Sequence, residues 1–313
     1  MKQTIQSKPT IAISIGDLNG VGIELALLNH EKIKKWAHPL YCINASLLQQ
    51  AANLLNVKIP HDFKLHETQG IFRVRPSKVC AKSGEYSFNS FLDAIKLTQD
   101  KKAKAVVTLP INKESWSKAN IKYKGHTELL REYFKKDAIM MLGCKEMFVA
   151  LFTEHTALKN VPKLVKTEKL ITFLLDFYSC VKPKKTVAVL GLNPHASDNG
   201  VLGNEEKKIK KAIKAVNTKL NKEMFTQPLV PDTAFTPHSR KNYKYFIAMY
   251  HDQGLIPLKT LYFEESINIS LNLPIIRTSV DHGTAFDIAY KHKAHAKSYL
   301  NAVKEAVKLA NNK

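Results

Sequence analysis

His155, His195 and His251 each stand at or just beyond the end of a short apolar run, in the settings Glu154-His155, Gly191-Leu192-Asn193-Pro194-His195 and His251-Asp252-Gln253-Gly254. Three imidazoles converging on a divalent ion would leave coordination positions open for substrate oxygens, as catalytic metal sites do. Their separations are long-range, so no local metal signature accompanies them. With twelve histidines in the chain, spacing alone leaves open that three of them end strands by coincidence. A second set lies toward the C-terminus: Lys259, Asn268 and Arg277, the last opening Arg277-Thr278-Ser279-Val280-Asp281-His282-Gly283-Thr284. A lysine, an amide and an arginine suit a phosphate together with a carboxylate, although each alone reads equally as a surface group.

Two further segments carry backbone signals. Gly125-His126-Thr127-Glu128 reads as a helix start with Thr127 as its cap, or as a donor pair facing a ligand. Gly16-x-x-x-Gly20-x-Gly22 could bring backbone close to a phosphate or form a tight structural turn. Its spacing is not that of the dinucleotide fingerprint, and the chain contains no P-loop and no G-x-S-x-G elbow.

The elements that must position these groups follow from periodicity. Thr10–Ile15, Ala105–Leu109, Met147–Thr153, Thr186–Leu190 and Tyr245–Tyr250 are apolar at nearly every position, the habit of strands buried on both faces of a parallel sheet. Amphipathic stretches at Glu128–Lys135, Glu168–Tyr178, Glu205–Leu220 and Ser298–Leu309 predict helices. The class is therefore α/β, in which ligands gather beyond the carboxyl ends of the strands.

Composition sets the bounds. At 313 residues, 44% hydrophobic and 24% charged, the chain is large enough for one or two well-cored domains. The formal net charge of +21 raises nucleic acid as a partner, but the only arginines are Arg73, Arg75, Arg131, Arg240 and Arg277, and the lysines are spread along the whole chain. Specific phosphate and base readout favours the arginine fork, so bulk surface lysine is the expectation. Cys42, Cys80, Cys144 and Cys180 are far apart and form no thiolate motif, which fits reduced, mostly buried thiols. No apolar run approaches the ~20 residues of a membrane span, and Ile11–Ile15 is too short for a signal-peptide core. A cytoplasmic protein with neither a membrane nor a nucleic acid partner is expected.

Taken together the segments are far more specific. ISIGDLNGVGIE (Ile13–Glu24), VTLPINK (Val107–Lys113), GHTE (Gly125–Glu128), GLNPHA (Gly191–Ala196) with Leu202-Gly203-x-Glu205-Glu206, VPDTAF (Val230–Phe235), MYHDQGL (Met249–Leu255) and IRTSVDHGTAFD (Ile276–Asp287) resemble, in order and phrasing, the 4-hydroxythreonine-4-phosphate dehydrogenase family of pyridoxal phosphate biosynthesis. Departures sit mainly in the first loop, where Ile15, Leu18 and Ile23 replace the family's usual prolines and Asn19 its usual alanine.

The resemblance implies two α/β/α lobes with a central cleft, similar to the isocitrate and isopropylmalate dehydrogenases. Residues 1–128 with 281–313 would form one lobe, and 129–280 the lobe carrying the histidines. It implies a homodimer with the active site at its interface, so that His155 need not share a chain with His251. The implied activity is NAD- or NADP-dependent oxidation of 4-phosphooxy-L-threonine, with decarboxylation to 3-amino-2-oxopropyl phosphate. By the same matching His155, His195 and His251 hold a divalent ion such as zinc, magnesium or cobalt, and His126, Thr127, Lys259, Asn268 and Arg277 contact the substrate. Asp232 and Asp252 are candidates for orienting the ligands or relaying the hydroxyl proton. The nearest alternative is a paralogue acting on erythronate or threonate 4-phosphate. A metal-dependent hydrolase and a basic polyanion-binding protein are the more distant ones.

Overall fold

The computed structural model describes residues 8–312, and in it the buried apolar runs become strands with helices between them. The chain forms two compact units. The first runs as far as Lys136 and takes in Ile267–Ile269 and the chain from Leu273 onward; the second comprises Asp137–Ser266 with Ser270–Asn272.

The first unit opens with β1 (Thr10–Ser14), α1 (Gly22–Ile33), β2 (His38–Cys42), α2 (Ala45–Leu55), β3 (Leu65–His66), α3 (Ala81–Gln99), β4 (Ala105–Thr108), α4 (Lys113–Lys118) and α5 (His126–Phe134). β1 pairs in parallel with both β2 and β4, and β2 in parallel with β3. β1 and β4 are apolar because helices cover both faces. Phe91, Ala94 and Ile95 of α3 pack with Ala12, Val106 and Trp116, and with Leu129 and Leu130 of α5. That packing keeps α5 with the first unit, which runs to Lys136.

The second unit holds β5 (Ile139–Gly143), β6 (Phe148–Leu151), α6 (Val161–Leu164), α7 (Thr167–Val181), β7 (Ala188–Val189), α8 (Glu205–Leu220), α9 (Pro237–Asn242), β8 (Tyr245–Ala248) and α10 (His251–Tyr262). β6 and β7 flank β8, both in parallel. β5, which none of the expected strands covers, runs antiparallel to β6, pairing Met141 with Ala150 and Gly143 with Phe148. The reversal between them is four residues long, far too short for the crossover that parallel strands need.

The chain ends with β9 (Ile267–Leu271), β10 (Arg277–Val280) and α11 (Lys297–Asn311). β10 lies in parallel beside β4, with Arg277 opposite Val106 and Ser279 opposite Thr108. The first unit is continuous again from Leu273. The glycine loop after β1 is buried from Gly16 to Gly22. A Cβ on Gly20 would lie 2.8 Å from the Thr284 side chain, and the Val21 amide donates to the Thr284 carbonyl at 3.0 Å. The loop is thus a tight structural turn. Among the described residues no helix is long and apolar enough to cross a membrane.

The helix α10 sits so close to its strands that only hydrogen fits at Gly254. A Cβ there would stand 2.4 Å from Val149 Cγ1 and 2.9 Å from the Ala248 Cβ. Gly254→Val should therefore push α10 outward and lower stability by about 1–3 kcal/mol, as overpacking does. Urea denaturation measures this, and a variant as stable as the native chain would show that the contact has room to give.

Candidate functional site

In the second unit, in-register parallel pairing decides which loops meet. Leu151 lies opposite Ala248, and both the Thr153 amide (3.2 Å) and its Oγ1 (2.7 Å) donate to the Met249 carbonyl, so β6 and β8 release their chains side by side. The loop after β6 carries His155 and the first turn of α10 carries His251; their ring centroids are 5.5 Å apart at an interplanar angle of 40°. Within the chain the two rings are therefore neighbours. His251 Nδ1 and an Asp252 carboxylate oxygen are 2.6 Å apart. In the neutral tautomer whose Nδ1–H donates to this carboxylate, Nε2 is the nitrogen free to accept an electrophile.

His195 follows β7, the next strand over. It lines a cavity of about 510 Å³ in the second unit together with Asp232, Tyr250, Asp252, Gln253 and Ile256. Its backbone is unusual. His195, Ala196, Ser197, Asp198 and Asn199 all have φ between 44° and 74°, a left-handed turn of five non-glycine residues. Each costs roughly 1 kcal/mol or more against its ordinary conformation, so neighbours must hold the turn in place. Those neighbours sit at its ends. Glu206 Oε1 accepts from the Leu192 (2.9 Å) and Asn193 (2.7 Å) amides, Asn193 Nδ2 donates to both Glu205 and Glu206 at 2.9 Å, and Ser197 Oγ donates to the Gly203 carbonyl.

The three histidines do not close on a single point within the chain. Among the described residues, one group of three offers ligand atoms within 4.8 Å of one another, namely His30, Glu31 and Asp62 in the first unit. Lys34 already fills that place, its Nζ paired with Asp62 and lying 3.2 Å from Glu31. The Lys34 hydrogen bond holds the Asp62 carboxyl down at about 2. Lys259 is half-buried on α10, its Nζ 5.9 Å from the Phe263 ring.

In the first unit, Arg277 is 2% exposed, and its Nε and Nη2 donate to Thr108 Oγ1 at 3.2 and 2.7 Å. Burial pulls its guanidinium down to about 9, which still leaves it charged at neutral pH. His126, the first residue of α5, packs edge-on against Phe91 and Trp116 with centroids 4.5 and 5.8 Å away. Its Nε2 is sealed from solvent without a partner among the described residues. Desolvation, followed by the Arg277 charge, drives its pKa well below the usual histidine range. The Oδ1 of Asn268 on β9 is likewise buried without a partner. Thr127 lies inside the first turn of α5, and Gly125 is the N-cap, so the capping role expected of Thr127 is corrected. The turn is closed instead by the Lys124 amide, which donates to Glu128 at 2.5 Å. A buried cation beside a neutral imidazole, with an orphaned amide oxygen in the same unit, is equipped to receive an anionic, donor-bearing small molecule.

The sequence profile of the pyridoxal phosphate biosynthetic protein PdxA matches residues 35–306. The chain belongs to this family. Curated relatives named 4-hydroxythreonine-4-phosphate dehydrogenase include those of Sulfurimonas denitrificans, 64% identical over 97% of this chain and 98% of the relative, and Campylobacter fetus subsp. fetus, 58% identical over 97% and 99%. The crystal structure of the Klebsiella pneumoniae 4-hydroxythreonine-4-phosphate dehydrogenase superposes with a TM-score of 0.80 at 31% identity, covering 97% of this chain and all of that one. The α/β fold of this PdxA chain is therefore the one that its solved relatives share.

Sequence reasoning passed over three residues that hold the candidate side chains of one unit or the other. Thr108 in VTLP anchors Arg277, Glu206 in the acidic pair grips the turn before His195, and Gln253 in HDQG joins two histidine-bearing loops. Their motifs were visible, but which neighbour each would reach depends on strand order.

Because the native His126 ring resists protonation, acidification favours the unfolded chain, whose histidine takes up a proton below about pH 6.5. Stability from this residue is present above that value and lost below it. Imidazole ¹⁵N shifts should show His126 neutral from pH 7.5 down to 5.5, and a titration midpoint near 6.5 would contradict the desolvated environment.

Proposed function

We propose that this chain oxidises the C3 hydroxyl of 4-phosphooxy-L-threonine with NAD or NADP as hydride acceptor, and that the β-keto acid formed loses carbon dioxide to give 3-amino-2-oxopropyl phosphate. The observation that carries this reading is the His155–His251 pair, with His251 fixed by Asp252. It occurs in a chain whose curated relatives bear that enzyme's name.

The residues suit the parts of the reaction. Arg277, buried and cationic, and His126, neutral with a sealed Nε2, bind the substrate's anionic groups without exposing them to water. Asn268 Oδ1 accepts from a donor on the substrate, a need met by the ammonium of the amino acid or by the hydroxyl of a sugar acid. Thr127 and the half-buried Lys259 add a hydroxyl and an ammonium to these contacts. His155, His195 and His251 would hold a divalent ion. Neutral imidazoles are a fitting donor set because they leave the ion's positive charge undiminished for a Lewis acid's work on the alcohol and the ketone. Asp232 and Asp252, both exposed at the cavity that His195 lines, are the carboxylates positioned to take up the hydroxyl proton as hydride departs. A homodimer agrees with the exposed apolar side chains of the second unit, among them Leu158, Val201, Ile256 and Phe263.

The test follows reduced nicotinamide in the presence of zinc, magnesium or cobalt, with 4-phosphooxy-L-threonine and, separately, erythronate 4-phosphate. Turnover of the amino acid phosphate is expected. Arg277→Ala should cut kcat/KM by about one to two orders of magnitude, the worth of a charge-assisted hydrogen bond, and His251→Ala should remove nearly all turnover. Reduction with the sugar acid alone, or none with either substrate, would overturn the assignment.

A further inference from the structure

Gln253 is two residues from His251, yet its side chain turns away from the helix and spans two strand ends. Its Oε1 accepts from the Met249 amide at 2.7 Å, and its Nε2 donates to the Gly191 carbonyl at 2.7 Å. Met249 is the residue after β8, and Gly191 opens the turn that leads to His195. Glu206, 2% exposed, holds the next two amides of that turn at Leu192 and Asn193. Consecutive peptide groups of Gly191–Asn193 are thus gripped from both sides, by an amide on the His251 helix and by a carboxylate on α8. Gly191's own amide donates to the Leu229 carbonyl at 2.9 Å. Beyond this grip the chain enters the strained left-handed turn, which leaves the position of His195 dependent on how firmly its base is held.

We propose that Gln253 is a positioning residue: bridging the Met249 amide to the Gly191 carbonyl, with Glu206 securing the following amides, it fixes His195 relative to His251 and so sets this chain's affinity for a divalent cation. The inference rests on the reading that both histidines are metal ligands. Its chemistry is specific to an amide. One end must accept and the other must donate, so a carboxylate of the same size satisfies Met249 but opposes the Gly191 carbonyl with a second acceptor.

Cobalt(II) titration of the purified full-length protein, followed by visible absorption and calorimetry, tests it without reference to turnover. Gln253→Glu should weaken cobalt binding by about 10- to 100-fold, the usual effect of disturbing the groups that orient ligands. Gln253→Met, equal in size but unable to bridge, should do the same. Asn217→Ala supplies the structural comparison. Asn217 clamps the Met224 and Phe225 amides in the same unit, away from the histidine loops, so its loss should lower the melting temperature while leaving cobalt affinity unchanged. If the native chain binds cobalt, His251→Ala does not, and both Gln253 variants bind as tightly as the native chain, the positioning role is overturned while the metal reading survives. If His251→Ala binds cobalt as the native chain does, the metal reading itself falls and takes this inference with it. Equal loss of affinity in Asn217→Ala would reduce Gln253 to a contributor to general stability and likewise overturn the proposal.

Discussion

Parallel strands in register end at the same level, and that constraint organises the second unit. With Leu151 opposite Ala248 and Val189 opposite Ile247, three chains leave the sheet together, and whatever residues follow them become neighbours at separations of forty to sixty positions. Hydrogen bonding within the ladder cares nothing for imidazoles. It nonetheless brings His155 beside His251 and lets Gln253 reach Gly191. The polar residues can be sparse because the apolar interior, from Val149 and Leu151 through Phe246 and Ala248 to Leu255 and Leu258, supplies the rigidity.

The first unit uses the same geometry toward a different end. The ladder between β4 and β10 sets Thr108 and Arg277 on adjacent strands, and the guanidinium is buried against the Thr108 hydroxyl. Taking a guanidinium out of water costs free energy, and the depressed Arg277 pKa is the electrostatic record of that cost. His126 pays none of it, because desolvation and the neighbouring charge keep its ring neutral. Selectivity for an anion can therefore arise from one charge placed deep rather than from the many lysines on the surface.

Much of this was legible in the sequence, and the reasons for the remainder are specific. The strands at Ala105–Thr108 and Tyr245–Ala248 and the helix at Glu205–Leu220 announced themselves because burial on two faces, or on one, leaves a period that can be counted. The candidate residues stood out by type and by their place after strands. The hairpin partner β5 was missed because an apolar run of five looks the same whichever way its neighbour points. No linker composition marks the passage out of α5, where Leu129 and Leu130 are simply continuous core. Thr127 was assigned a cap that Gly125 provides, since Gly, His and Thr in succession offer more than one starting residue for a helix. The couplings through Thr108, Glu206 and Gln253 required the order of strands, which no local pattern encodes.

The left-handed stretch from His195 to Asn199 bears on how this chain can be altered by selection or design. Glycine at Asp198 or Asn199 would adopt the same dihedrals without steric penalty, so the present sequence forgoes an easy gain in thermal endurance. Glycine would also widen the range of shapes that the segment can visit, and an imidazole carried on a looser tether would spend less of its time where it is needed. Glycine substitution at this turn thus trades heat tolerance against the precision of one side chain.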